Sequence, residues 1–231
     1  MIFPWILYLR GDFVVSVILL MAGRGARMGY SKNKILLPFD DKYLFEIPLH
    51  TFLLQGYEVV CVVSESDLDI IKPLLPKNVK YVLGGDTRQE SVYNGLKAAS
   101  GDYIMIHDAA RMFISKELIL KIEEASKGIY PVLAYTEVKD TIKINEGGKL
   151  RTLNRASLIA AATPQAAPKA LFMEVYEKAK NEGFIATDDI SLIEKYHPEI
   201  ELKLILADDL IFKVTTPKDY EVALDIWRKM K

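Results

Sequence analysis

VVSVILLMAGRGARMGYSKNK, from Val14 to Lys34, is the stretch on which the fold turns. The unbroken apolar run from Val14 to Met21 has the composition of a parallel strand covered on both faces. It passes into a loop carrying Gly23, Gly25 and Gly29 together with Arg24, Arg27, Lys32 and Lys34. Glycines allow a tight turn and a close backbone approach, so N–H groups can line up on a polyphosphate. Arginine and lysine add mobile positive charge over the same phosphates. Open α/β sheets bind their ligands at such a strand end. The stretch therefore points to a nucleotide-binding loop. Its spacing, Gly23-x-Gly25-x-x-x-Gly29, misses the dinucleotide fingerprint by one residue, and no Walker-type G-x-x-x-x-G-K-[ST] occurs. Taken alone, the loop also reads as a glycine-rich strand-to-helix turn with solvated arginines.

Outward from this stretch, apolar runs alternate with amphipathic ones, the pattern of a parallel sheet flanked by helices. Strands are expected at Val14–Met21, Val59–Val63, Lys80–Leu83, Tyr103–Ile106, Tyr130–Ala134 and Glu201–Leu206, with a further short one at Leu210–Val214. Helices are expected at Leu44–Leu54, Asp67–Leu75, Ser91–Ala99, Lys116–Ala125, Lys169–Asn181, Asp188–Tyr196 and Pro217–Met230. The last has a clear start: Thr216 as cap, Pro217 in the first helical position and Asp219 in the first turn. The expected fold is α/β, a mostly parallel Rossmann-like sheet forming one domain over 13–231, preceded by an extension at 1–12. One segment breaks the alternation. From Glu137 to Arg155, two polar-apolar alternating runs surround Asn145-Glu146-Gly147-Gly148, which signals a β-hairpin. Its polar runs would make a poor core, so it should project from the body. It reads either as a plain surface hairpin or as an arm reaching a partner.

With 231 residues, half of them apolar, and a net charge of −1, the chain can bury a full core and offers no broad basic surface for nucleic acid. The single cysteine, Cys61, lies in the apolar run Val59–Val63; one cysteine forms no internal disulfide and suits a reducing cytosol. Met1–Leu9 (MIFPWILYL) is too short to span a bilayer and lacks the basic and small-residue flanks of a signal peptide. A cytoplasmic protein without membrane contact is expected.

Beyond the first loop, four segments stand out: GGDTRQESVYNGL (Gly84–Leu96), HDAAR (His107–Arg111), KDTIK (Lys139–Lys143) and ATPQ (Ala162–Gln165). FKVTTPKD (Phe212–Asp219) closes the chain. Read locally, each has an ordinary alternative. Asp86 or Thr87 can simply cap a helix, Lys213 can point outward from a strand, and Thr163 and Thr187 can be turn or cap residues.

Taken in this order, the first loop and these segments resemble the 2-C-methyl-D-erythritol 4-phosphate cytidylyltransferase family of sugar-phosphate nucleotidyltransferases, from about Val14 to the C-terminus. The resemblance implies transfer of a cytidylyl group from CTP to 2-C-methyl-D-erythritol 4-phosphate with release of pyrophosphate. It assigns Arg27, Lys34 and Lys213 to catalysis. Met21, Ala22, Gly23, Gly25, Gly85, Asp86, Arg88 and Ser91 match the nucleotide side. Asp108, Arg111, Thr141, Arg155, Thr163 and Thr187 match the acceptor side. It makes the hairpin an arm that embraces a second subunit and completes that subunit's site, so a homodimer with arm exchange is implied. Mg²⁺ is expected from the charge of CTP, held mainly by phosphate oxygens, with no dedicated metal-ligating residue. His107 reads as a structural ring. Two departures from the family pattern are visible: Met112 stands where a proline is usual, and Asn154 where an aspartate is common. The alternatives are a ribitol 5-phosphate (pentitol-phosphate) cytidylyltransferase and a non-catalytic nucleotide-binding regulator. Lys143 and Ser91-Val92 look more like the methylerythritol group, and retention of Arg27, Lys34, Asp108, Arg111 and Lys213 speaks against the regulator.

Overall fold

The computed structural model of the chain describes residues 13–23 and 33–230. The extension at 1–12, Gly25 and Arg27 lie outside the described residues. In chain order the elements are β1 (Val15–Leu20), the short strands β2 (Pro38–Phe39) and β3 (Lys42–Tyr43), α1 (Glu46–Leu54), β4 (Glu58–Val63), α2 (Leu68–Ile71), β5 (Lys80–Leu83) and α3 (Arg88–Ala98). There follow β6 (Tyr103–Asp108), α4 (Lys116–Ser126), β7 (Val132–Glu137), β8 (Lys143–Glu146), β9 (Lys149–Thr152), β10 (Ile159–Pro168), α5 (Lys169–Glu182), α6 (Ile190–Tyr196), β11 (Lys203–Leu206) and α7 (Pro217–Met230).

Among the described residues the main sheet has seven strands in the order β11-β7-β10-β6-β1-β4-β5. All run parallel except β10, which is antiparallel to both β6 and β7. The expected mostly parallel sheet flanked by helices is thus the one observed. Strand β1 is buried on both faces, as its unbroken apolar composition requires. Val17, Leu19 and Met21 join one core with Phe45, Phe52 and Ile119, while Ile18 joins the opposite core with Leu96, Ile104 and Phe172. Each such fully buried side chain contributes about 1.5–3 kcal/mol from apolar burial. The chain order reverses between β1 and β6, so a crevice opens beyond the carboxyl ends of these two strands. A third, smaller core ties α7 to the segments flanking that crevice: Phe39, Leu44, Met112, Phe113, Val214 and Ala223 pack together. Met112 is fully buried there and anchors its loop by packing.

Several boundaries differ from expectation, each for a local reason. Helix α3 begins at Arg88, three residues earlier, because Thr87 caps it: its side chain accepts from the Glu90 N–H while the Glu90 carboxylate accepts from the Thr87 N–H. Such a cap is worth about 1 kcal/mol. The helix expected over Asp67–Leu75 shortens to α2 between two single 3₁₀ turns; the second holds Pro73, whose missing N–H ends regular helix. Leu210–Val214 is no strand. It is a 3₁₀ turn, Asp209–Ile211, followed by an extended segment whose Val214 N–H donates to the Ala110 carbonyl at 2.9 Å. Strand β10 was not expected at all. The hairpin forms as read, β8 pairing with β9 around Gly147 and Gly148, both at positive φ (61° and 88°). Almost all of its residues are exposed.

Candidate active site

Asn33 ties the start of the next element back to the end of β1. Asn33, buried, donates from Nδ2 to the Met21 carbonyl and to the Asp67 carboxylate, both at 2.8 Å. Its Oδ1 accepts from the Ile35 N–H at 3.3 Å, which starts the 3₁₀ turn carrying Lys34. Lys34 therefore leaves the loop from a fixed backbone and lines the cleft beside Met21, Ala22 and Gly23.

A second wall comes from the turn between β5 and α3. A Cβ on Gly84 would stand 2.6 Å from the Ala22 Cβ, so only glycine lets this turn close against the first loop. The Ser91 hydroxyl accepts from the Gly85 N–H at 3.1 Å and donates to the Thr87 carbonyl at 2.9 Å. Ser91 thereby shapes the turn, leaving Asp86 exposed on the cleft wall.

The floor is the end of β6. His107 is fully buried, its Nε2 3.0 Å from the Arg111 carbonyl and its Nδ1 3.0 Å from the Thr163 hydroxyl. A carbonyl only accepts, so Nε2 carries the proton and Nδ1 accepts from Thr163. The Thr163 oxygen in turn accepts from the Asp108 N–H at 3.1 Å. Burial pushes the His107 pKa down to about 4, which keeps the ring neutral. Asp108 faces three cations: Lys213 Nζ at 2.7 Å, Arg88 Nε at 3.8 Å and Arg111 Nε at 3.9 Å. Burial alone would raise the Asp108 pKa, but Lys213, Arg88 and Arg111 outweigh it and hold the carboxyl well below the usual range. Arg111 donates to the Ile211 carbonyl at 2.9 Å, fastening the floor to the segment that bears Lys213. Arg88 is gripped behind the cleft by Asp189 through two bonds of 2.7 Å. Among the described residues, three cations against two carboxylates leave this cluster net positive.

These walls enclose a cleft of about 410 Å³. Of the residues expected at the site, Met21, Ala22, Gly23, Lys34, Gly85, Asp86, Arg88, Ser91, Asp108 and Lys213 line it, with Asn33 and Thr215 in addition. Arg111 stands just behind its floor. Thr163 lies under the floor with its hydroxyl engaged on both sides, and Thr187 is exposed on the loop before α6. Thr141 and Arg155 are exposed at the base of the hairpin, where Arg155 donates to the Lys139 carbonyl at 2.8 Å; neither lines the cleft of its own chain. Sequence reasoning did not single out Asn33, Gln165 or Asp189. Nothing local marks Asn33, and the other two work only through contacts with distant segments.

A cation-rich cleft at the switch point of a doubly wound sheet, walled by a glycine turn and floored by a lysine-bound aspartate, places the chain among the nucleotidyltransferases. The family model for 2-C-methyl-D-erythritol 4-phosphate cytidylyltransferase matches residues 15–229. A relative of that name from Aquifex aeolicus is 38% identical over 212 residues, spanning 91% of this chain and 96% of the relative. Another from Bacillus cereus is 32% identical over 230 residues, spanning 94% and 99%. The crystal structure of the 4-diphosphocytidyl-2C-methyl-D-erythritol synthase of Anaerococcus prevotii superposes with a TM-score of 0.82 at 32% identity, over 94% of this chain and 96% of that one. The chain belongs to the 2-C-methyl-D-erythritol 4-phosphate cytidylyltransferase family.

Proposed function

We infer that this chain catalyses attack by a phosphate oxygen of 2-C-methyl-D-erythritol 4-phosphate on the α-phosphorus of CTP. A new P–O bond joins the two phosphates and the bond to the β-phosphate breaks, releasing pyrophosphate. Charge crowds around one phosphorus in this step, so catalysis is mainly positioning and cationic stabilisation. The observation that carries the reading is the Lys213–Asp108 pair on the floor, opposite Lys34 on the wall. Asp108, ionised, aims Lys213 at the acceptor phosphate and the α-phosphate. Lys34, with Arg27 from the same loop, stabilises the leaving pyrophosphate. The exposed Asp86 and the Gly85 backbone face the cytosine.

No three carboxylate, imidazole or thiol groups converge among the described residues. A Mg²⁺ ion held mainly by phosphate oxygens fits this cleft, with the exposed Asp86 the carboxylate it can offer. When bound, the ion would neutralise phosphate charge. The reading extends to a cytoplasmic homodimer in which Thr141 and Arg155 bind the acceptor phosphate in the neighbouring subunit's cleft. An exposed hairpin whose arginine stands away from its own cleft supports this.

The test is pyrophosphate release from CTP and Mg²⁺ with methylerythritol phosphate or ribitol 5-phosphate in separate reactions. Turnover with methylerythritol phosphate, and much less with ATP, GTP or UTP, is expected, because buried groups left unpaired by the wrong partner penalise it. A preference for ribitol phosphate would overturn the acceptor assignment.

A further inference from the structure

Behind the cleft lies a second carboxylate that no part of the transfer reaction yet uses. Asp189 has no exposed surface and does not line the cleft. Its two oxygens accept from Arg88 Nη1 and Nη2, both at 2.7 Å, and the Tyr176 hydroxyl donates to Oδ1 as well. The Gln165 side-chain oxygen accepts from the Asp189 N–H at 2.9 Å and from the Ile190 N–H at 3.0 Å. Gln165 Nε2 donates to Asp188 at 2.9 Å. Gln165 stands two residues beyond Thr163 on β10, and Thr163 holds the Asp108 N–H. One strand therefore fixes the backbones of both acids that Arg88 joins.

A buried ion pair stabilises a fold little better than apolar packing of the same volume. What this pair adds is direction. A guanidinium held by both terminal nitrogens cannot swing, so its remaining Nε is presented to Asp108 Oδ1, while Lys213 keeps Oδ2. Without the charge on Asp189, Arg88 would be drawn onto Asp108 and compete with Lys213.

We propose that Asp189 is a positioning residue for cytidylyl transfer: it holds Arg88, and through Arg88 the Asp108–Lys213 pair, in reactive geometry. The proposal rests on the cytidylyltransferase reading above. The test is a kinetic double-mutant cycle of wild type, Asp189→Asn, Arg88→Met and the double variant, with kcat/KM and CTP affinity by calorimetry measured on all four full-length proteins. Asp189→Asn should lower kcat/KM on the order of tenfold to a hundredfold and weaken CTP binding in the same direction. In the Arg88→Met background it should change either by no more than about twofold. A merely structural role would lower the melting temperature of Asp189→Asn while leaving kcat/KM and CTP affinity, measured well below it, close to wild type, or would leave the two kinetic losses independent. Losses that multiply, or an Asp189→Asn enzyme close to wild type in both readouts, overturn the proposal. Should Asp189→Asn fail to fold, Tyr176→Phe, which removes a single hydroxyl from Asp189, goes through the same cycle; a smaller loss that vanishes with Arg88→Met supports the proposal, and an additive one refutes it. If the wild type does not turn over methylerythritol phosphate, the acceptor reading falls, while the four CTP affinities still decide the role of Asp189.

Discussion

Replacing Thr163 with valine removes one hydroxyl and almost no volume, which makes it a sharp probe of how the cleft floor is held. The hydroxyl is the sole described link between the His107 ring and the Asp108 backbone, at 3.0 and 3.1 Å, and the residue is 3% exposed. Valine would leave a buried N–H and a buried ring nitrogen without partners. Each orphaned group costs about 1–3 kcal/mol, and the added methyl recovers part of that, so the net loss should be about 3 kcal/mol. For a domain of this size that is about 6–12 °C in melting temperature. Thr163→Ser keeps the hydroxyl and gives up one methyl, about 1 kcal/mol. Urea denaturation and thermal melts of the two variants, with pyrophosphate release measured well below either melting temperature, check the reasoning. Serine should keep most of kcat, and valine should lose about tenfold or more as the Asp108 backbone drifts. If valine and serine melt together and turn over alike, the hydroxyl bridge does not hold the floor.

Two further outcomes are expected. His107 is neutral when folded, with a pKa lowered to about 4 from 6.5, so its contribution to stability is complete above about pH 6.5 and is lost as pH falls toward about 4. The loss should reach about 3 kcal/mol in urea midpoints across that window, and His107→Gln should flatten the slope; an unchanged slope would assign it to other groups. Mixing Lys34→Ala with Arg155→Ala subunits, each inactive alone, should regenerate about a quarter of wild-type sites once subunits exchange. Activity that stays at parental levels after demonstrated exchange would end the shared-site reading.

The parallel strands were legible because a strand covered on both faces must be apolar throughout, as in Val59–Val63 and Tyr103–Ile106. Strand β10 was not, since IAAATPQAAP is alanine-rich, carries Pro164 and has little intrinsic strand preference. Its place between β6 and β7 is set by what surrounds it. Phe212 and Val214 looked like strand residues but are apolar because they pack in the core under α7. At the site, Gly23, Gly85 and Asp108 could be picked out because they follow or end strands, where an open α/β sheet leaves its crevice. Asn33, Gln165 and Asp189 could not. Their partners lie on segments that adjoin only after folding, and Asp189, two residues beyond Thr187, looks in sequence like any loop acid.

The hairpin has a base that belongs to the sheet. The chain leaves β7 at Glu137 and returns into β10 at Ile159, and those two residues are paired, followed by Thr136 with Ala160. An excursion whose ends are neighbouring rungs is, to the rest of the molecule, only a turn. Its tip, from Glu146 to Lys149, can drift through evolution, or be exchanged by an engineer, without shifting a strand or moving Asp108. The base that carries Thr141 and Arg155 meanwhile stays registered to the sheet, through the β7–β10 rungs and the Arg155–Lys139 bond.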